Sequence, residues 1–253
     1  MSESSPGRSQ RLLHSSIGAK FVMGVTGVIL VGFVLVHMLG NLQVYLSADT
    51  FNSYAQLLKG TAPLLWGTRI VLLVAVALHI WAAIRLTGIN WAARPQRYAH
   101  AQRYARTSYA ALFMRGSGVV VLAFIIYHIL HFTLGVVQPD SFGLHEVLRG
   151  EVWVRETNDQ LVAALPAHQV RHDAYSMFVL GFQNWIVAAS YIVANLLLSR
   201  HLSHGVASML ATLGYSKGRN RVTAERVGAA IAGLILVGNL SFPIAVLAGV
   251  IHL

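Results

Sequence analysis

Histidine is the residue type whose positions in this chain could do chemistry. Four histidines lie within or at the end of four different long apolar segments: His37, His79, His128 and His201. An ionisable side chain inside a bilayer is costly to bury and has a functional role by default. Imidazole is a common axial ligand of haem iron, and two imidazoles complete the coordination of one haem. Four such histidines therefore indicate that two haems b are held between the segments that carry them.

The segments that carry these histidines have the composition of membrane-spanning helices. The chain has 253 residues, of which 55% are hydrophobic and only 11% are charged, which rejects an ordinary soluble domain. A helix needs about 20 apolar residues to cross the hydrocarbon core. Five stretches meet this length, at about 17–40, 64–87, 114–137, 172–200 and 224–252. The sequence therefore predicts an all-α polytopic membrane protein, with one membrane domain over residues 1–253 and a five-transmembrane-helix bundle that encloses two haems b.

The distribution of basic residues predicts the orientation of the bundle. The N-terminal tail and the connections between spans two and three and between spans four and five hold 14 of the 19 Lys+Arg. Cytoplasmic connections carry such an excess, so we expect the N-terminus inside and the C-terminus outside. The net charge of +10 then belongs to the cytoplasmic face, where anionic lipid or a docked soluble protein explains it better than nucleic acid. The longest outer connection, at about 138–173, is polar enough to form a small external cap.

The chain contains no cysteine. This excludes, within the chain, disulfides, thiolate-ligated iron–sulfur clusters and covalent attachment of haem. If electrons pass through the chain, another subunit must therefore deliver or remove them.

Depth in the membrane sorts the four histidines into two pairs. A helix rises about 1.5 Å per residue, so position along a span gives depth. His37 near the outer end of the first span is level with His128 in the outer half of the third. His79 in the inner half of the second span is level with His201 at the inner end of the fourth. Two bis-histidine haems, one outer and one inner, are the simplest object that uses this pattern.

Two further histidines complicate the choice of ligands. His131 and His204 each lie three residues after a proposed ligand and share its helix face. Periodicity alone does not decide between His128 and His131, or between His201 and His204. A single intramembrane histidine is more often a packing residue or a member of a proton relay than a ligand, but two pairs at matched depths favour ligation.

An arginine within the second span also needs an explanation. Arg69 lies in the outer part of that span, where its charge requires a partner or contact with water. An outer haem propionate, the carboxylate of Asp173 or a side chain that snorkels to the interface would each serve.

Several short runs of the sequence resemble a known family. Residues 15–20 (SSIGAK), 24–27 (GVTG) and 36–42 (VHMLGNL) resemble the first helix of the di-haem cytochrome b subunit of succinate dehydrogenase and fumarate reductase. The likeness continues at residues 51–55 (FNSYA) and 78–81 (LHIW). It extends to residues 201–205 (HLSHG) and 212–214 (TLG), which look like the family's signature after the fourth helix. The resemblance covers about residues 15–214, with five spans in the family's order.

The resemblance implies a membrane anchor with two haems b, in the cytoplasmic (inner) membrane of a bacterium, bound to a flavoprotein and an iron–sulfur protein on the cytoplasmic face. It implies that His37 and His128 ligate the outer, distal haem, and that His79 and His201 ligate the inner, proximal haem. It further implies that electrons from succinate reach a quinone, often menaquinone, or flow back for fumarate reduction. The chain would then be a non-flavin subunit of a succinate:quinone oxidoreductase, with no succinate chemistry of its own.

A quinone site needs hydrogen-bond partners for two carbonyls and a route for protons. Some fumarate reductases of this kind use a glutamate in the first outer loop, but residues 41–63 of this chain contain no glutamate and a single aspartate, Asp49. Each polar residue near a proposed haem is also an ordinary choice for an interface or a helix cap. The candidates are Ser15, Ser16 and Lys20 near the inner haem, and Asn41, Gln43, Asp49, Asn52 and Tyr54 near the outer haem.

Three other functions fit parts of the pattern. A cytochrome b anchor of a formate dehydrogenase or hydrogenase would keep the haems and change the partner. A haem-free transporter or channel would use the histidines to relay protons and would show no b-type absorbance. A purely structural anchor without redox groups leaves histidines at two matched depths unexplained.

Overall fold

The computed structural model describes residues 15–93, 109–215 and 220–253. The orientation prediction depends in part on basic residues outside these ranges. These are Arg8, Arg11, Arg94, Arg97, Arg103, Arg106, Lys217 and Arg219.

Five helices of the described chain are long and apolar enough to cross a membrane. Their lengths follow from apolar runs in which every backbone group is satisfied inside the helix, as a bilayer requires. The prediction of a helical, polytopic membrane protein is confirmed to this extent. The five are α1 (Ser16–Asn41), α3 (Ala62–Ala92), α4 (Tyr109–His128), α8 (Trp185–Thr212) and α9 (Asn220–Leu247).

The structure differs from the predicted fourth span, which we placed at 172–200. Two helices occupy this region, α7 (Ala174–Gln183) and α8, and they meet at Asn184. The side-chain oxygen of Asn184 accepts hydrogen bonds from the backbone N–H groups of Ile186 at 3.0 Å and Val187 at 3.4 Å. This is the geometry of a helix N-cap. Because α8 then runs on to Thr212, His201 lies inside a helix and not at its end.

The third span also differs from its predicted bounds of 114–137. Helix α4 ends at His128 and continues as a π-helical turn, Ile129–Thr133. Single π-helical turns are rare and occur frequently at functional sites. This one contains His131 and follows directly on His128.

The predicted external cap contains a small sheet that the sequence analysis did not predict. Strands β1 (His145–Arg149), β2 (Val152–Glu156) and β3 (Val170–His172) form an antiparallel sheet in the order β2-β1-β3. The hairpin between β1 and β2 turns at Gly150, whose φ of 66° favours glycine. The other short elements are α2 (Ala48–Gly60), α5 (Pro139–Phe142), α6 (Asp159–Ala164) and the 3₁₀ turns Leu42–Tyr45 and Ala167–Gln169.

The chain divides into two compact units, and all five long helices contribute residues to both. The first unit consists of Met1–Val34, Thr68–Ser117 and Arg200–Gly233, and it contains His79 and His201. The second consists of Leu35–Gly67, Gly118–Ser199 and Leu234–Leu253, and it contains His37, His128 and the sheet.

Within each unit, the described backbones of the long helices come within 8 Å of one another only at isolated points. Helices in direct contact along their length pack with their axes about 8–10 Å apart. Two of the contacts between long helices involve specific residues. In the first unit, a Cβ atom added at Gly228 of α9 would lie 2.5 Å from the carbonyl oxygen of Ser203 in α8. In the second, the Asn239 amide donates to the side-chain oxygen of Asn195 at 2.9 Å.

Candidate functional site

The inner histidine pair lies in the first unit. His79 of α3 and His201 of α8 face each other, with ring centres 6.5 Å apart and ring planes at 59°. No contact between the rings of His79 and His204 occurs in the described part of the chain, so His201 is the partner of His79. The sequence had left this choice open, and only the family resemblance had favoured His201.

The Nδ1 atom of His79 is held by a hydroxyl on α1. The hydroxyl of Thr26 donates to the carbonyl of Val22, four residues earlier, at 2.8 Å. A hydroxyl has a single proton; with that proton on the Val22 carbonyl, the Thr26 oxygen accepts a hydrogen bond from Nδ1–H of His79, at 3.0 Å. The Nε2 atom of His79 then carries a lone pair, which is the form that binds a metal.

The same arrangement recurs at His201. The hydroxyl of Ser117 donates to the carbonyl of Met114 at 3.1 Å, and its oxygen lies 3.2 Å from Nδ1 of His201. By the same proton count, Nδ1 of His201 donates to Ser117. Both members of the inner pair therefore present an unprotonated Nε2 atom, and no described residue forms a hydrogen bond with either Nε2.

The outer pair lies in the second unit. His37 of α1 and His128 at the end of α4 have ring centres 5.7 Å apart and nearly perpendicular planes, at 87°. The amide nitrogen of Asn41 lies 3.2 Å from Nε2 of His37, one helical turn away. A metal on that nitrogen requires the Asn41 amide to turn aside, which its partly exposed position allows.

Hydrogen bonds distinguish His128 from His131. His131 is buried, and both of its ring nitrogens have partners: Nδ1 lies 2.9 Å from the hydroxyl of Tyr191, and Nε2 lies 3.0 Å from Oε1 of Gln138. Its ring also stacks on Phe132, with centres 4.0 Å apart. His131 is therefore a satisfied packing residue. His128 has a partner only at Nδ1 within the described chain, the Tyr191 hydroxyl at 3.3 Å, and this favours His128 as the ligand.

Both pairs fit a bis-imidazole haem. A metal–imidazole bond of about 2 Å on each side, with about 1 Å from each ligating nitrogen to its ring centre, puts the ring centres about 6 Å apart. The observed separations of 5.7 and 6.5 Å bracket this value.

The described residues contain no cluster of three or more His, Cys, Asp or Glu side chains that could hold a metal ion. This does not bear on haem, because the porphyrin supplies all ligands except the two axial ones.

The inner quinone candidates lie at the start of α1. Ser15 is a helix cap, since its hydroxyl oxygen accepts from the backbone N–H of Gly18 at 3.0 Å. Ser16 and Lys20 are exposed. The structure gives Ser15 a local structural role and leaves the other two accessible.

Two outer quinone candidates belong to a buried polar network in the cap. Asn52 is fully buried: its amide nitrogen donates to Glu146 and to Asp173, both at 3.1 Å, and its oxygen accepts from the backbone N–H of Tyr175 at 2.8 Å. Asp49 pairs with the buried Arg171 at 2.8 Å. These bonds hold α2 against β3 and α7, so the structure gives both residues structural partners.

Tyr54 is the outer candidate that lies against the helix of His37. A Cβ atom added at Gly40, three residues after His37, would lie 2.5 Å from the Tyr54 hydroxyl. Only glycine at position 40 allows this approach. Gln43 lies in the 3₁₀ turn that follows α1.

Arg69 is exposed on α3. One of its three proposed partners, Asp173, instead pairs with Arg155 at 3.1 Å. Asp173 therefore has an ion-pair partner of its own within the cap.

The network around Arg171 and Asp173 was not predicted from the sequence. Arg171 is buried, pairs with Glu146 at 2.7 Å and packs over the ring of Trp153 at 4.4 Å. Burial raises the pKa of Asp173, but hydrogen bonds from Ser176 and Asn52 outweigh it and hold that pKa below its usual range. Alternation of apolar residues around Gly150 was the sequence signal that could have revealed the hairpin and hence these contacts.

Comparisons of the chain with protein-family models, with curated proteins and with solved structures found no match.

Proposed function

We propose that this chain is the membrane-anchor cytochrome b subunit of a succinate dehydrogenase, and that it carries electrons between an iron–sulfur subunit and menaquinone in the membrane. The observation that carries the proposal is the presence of two histidine pairs, with ring centres 5.7 and 6.5 Å apart, that each fit one haem iron. The motifs at residues 36–42 and 201–205, which resemble those of the family, contribute one histidine to each pair.

The chain's own residues would hold and orient the two groups. His79 and His201 would ligate one iron, and His37 and His128 the other. When bound, a haem with two imidazole ligands supplies one-electron transfer, because it has no open coordination position for other chemistry. The absence of cysteine from the sequence agrees with a partner that supplies the iron–sulfur clusters. The same residues would serve fumarate reduction by a quinol, since a path for electrons has no built-in direction.

A second candidate function, a haem-free proton relay, is favoured by one observation. Tyr191 links the Nδ1 atoms of His128 and His131, and His131 continues to Gln138. Such a chain of hydrogen bonds within a membrane could move protons. It accounts for His131 and Tyr191, but it gives no role to His37 or to the inner pair.

Replacing single histidines in the full chain tests the proposal. The chain is purified from membranes with its partner subunits, and reduced-minus-oxidised spectra are recorded after addition of succinate. We expect succinate to reduce two b-type haems in the wild type. His79→Gln or His201→Gln should remove the inner haem, and His37→Gln or His128→Gln the outer one, because each replacement takes away one of the two imidazoles that would hold that haem.

His168→Gln is the matched control, because His168 is exposed in the cap and belongs to neither pair. It should keep both haems. If formate or hydrogen reduces the haem and succinate does not, the partner is a formate dehydrogenase or hydrogenase and not a succinate dehydrogenase. Loss of haem from His131→Gln or His204→Gln, with its retention in His128→Gln or His201→Gln, would overturn the ligand assignment.

A further inference from the structure

We propose that Thr26, Ser117 and Tyr191 are positioning residues, whose hydroxyl oxygens accept the Nδ1–H hydrogen bond of a haem-ligating histidine. This inference rests on the proposed function, since it requires that the histidines ligate iron. It assigns to these three residues a role in tuning the haem potential.

The two inner hydroxyls are rigid acceptors. Thr26 and Ser117 are 4% and 7% exposed, so neither exchanges its partners with water. Each is fixed by donating its own proton to the preceding turn of its helix, to Val22 at 2.8 Å and to Met114 at 3.1 Å. The lone pairs that remain are directed at His79 and His201. The two members of the inner pair therefore have the same kind of hydrogen-bond acceptor, each on a different helix.

Tyr191 plays the equivalent part at His128. If Nε2–H of His131 donates to the Gln138 oxygen, then Nδ1 of His131 is unprotonated and accepts from the Tyr191 hydroxyl at 2.9 Å. The Tyr191 oxygen is then free to accept from Nδ1–H of His128 at 3.3 Å. The satisfied His131 thus sets the direction of this chain of hydrogen bonds, and the chain leaves Nε2 of His128 unprotonated.

These hydrogen bonds have an electronic consequence for the ligand. A metal-ligating histidine that donates a hydrogen bond from its other ring nitrogen is held in one tautomer. It also becomes a stronger electron donor to the metal. A stronger donor stabilises the oxidised iron more than the reduced iron. Loss of the acceptor hydroxyl should therefore make the reduction potential of the haem at that pair more positive.

Redox titration of the purified complex, followed by haem absorbance, measures this effect. Thr26→Val and Ser117→Ala should each make the reduction potential of one component more positive, namely the component that His79→Gln removes. The potential of the other component should not change. Tyr191→Phe should shift only the component that His128→Gln removes. Thr26→Ser and Ser117→Thr keep the hydroxyl and should restore the wild-type potential.

Ser190→Ala is the matched control, because Ser190 is a helical serine that donates to the carbonyl of Val187 at 2.7 Å. It should leave both potentials unchanged. Loss of haem from Thr26→Val supports the inference if Thr26→Ser retains haem at the wild-type potential, and opposes it if Thr26→Ser loses haem as well. Unchanged potentials in all three hydroxyl-free variants would overturn the inference and leave haem ligation standing. A wild-type complex without haem would overturn both.

Discussion

At the scale of single residues, the partners of a histidine decide its role. His128 and His131 have the same chemistry and lie three residues apart, yet His131 has both nitrogens hydrogen-bonded and its ring stacked on Phe132. His128 has one nitrogen left over and faces His37. The proposal therefore assigns the iron to His128, whose Nε2 has no hydrogen-bond partner among the described residues, and not to His131.

A third pair of histidines, in the cap, has ring nitrogens without hydrogen-bond partners. His145 and His172 are cross-strand neighbours in β1 and β3, and Nδ1 of the first and Nε2 of the second are buried without a hydrogen-bond partner. Burial, with Lys59 and His145 nearby, lowers the pKa of His172 to about 4. Protonation would add a charge and an N–H group that no acceptor meets.

The cap should therefore lose stability as the pH falls. The pKa of His172 is lower in the folded cap than the ordinary value of 6.5, so the unfolded form binds the proton more tightly between these values. The contribution of His172 to stability is complete above about pH 6.5 and declines as the pH falls toward 4. Hydrogen exchange of the amides in β1 and β3, corrected for intrinsic rates, should show easier opening at pH 5 than at pH 7.5.

His172→Gln should remove most of this pH dependence, since glutamine does not titrate. His168→Gln, at an exposed position of the same cap, should leave it unchanged. Identical pH dependence in wild type and His172→Gln would show that another group is responsible.

At the scale of elements, helix ends and close approaches position the histidines. The break at Asn184 ends α7 and starts a new helix, α8. Helix α8 carries both Tyr191 and His201. Where α9 meets α8, Gly228 allows its backbone to approach Ser203, two residues after His201. Small residues permit such approaches between membrane helices.

Gly228→Ala should weaken this helix contact. The added Cβ atom would lie 2.5 Å from the Ser203 carbonyl oxygen, closer than real Cβ contacts, so α8 or α9 must shift. We expect a lower temperature for thermal loss of the b-type absorbance that His201→Gln removes. Gly233→Ala on the same helix, where nothing lies within 4 Å, is the control and should have little effect. Equal thermal behaviour of the two variants would contradict the contact.

The sequence predicts elements of this molecule better than it predicts their ends and partners. The five apolar runs are a matter of composition, and the depth of each histidine is a matter of helical rise. Both are local properties, and the five long helices lie where the apolar runs are. The break at Asn184 and the π-helical turn at His131 depend on which backbone groups a few neighbouring residues bond to, and the pairing of Arg171 with Asp49 joins residues far apart in the chain. No pattern of hydrophobicity encodes these, so periodicity could not separate His128 from His131.

At the scale of the whole molecule, each compact unit contains one histidine pair. The first unit contains His79 with His201, and the second contains His37 with His128 and the polar cap. The long helices expose apolar side chains such as Leu73, Val119 and Val237, as a lipid-facing surface requires.

The most direct test of this account is the number of haems b per chain in the purified wild-type protein, measured as the pyridine haemochrome against the amount of protein. The account predicts two. A colourless preparation from haem-replete cells, or a single haem that survives the replacement of any one of the four histidines, would contradict it.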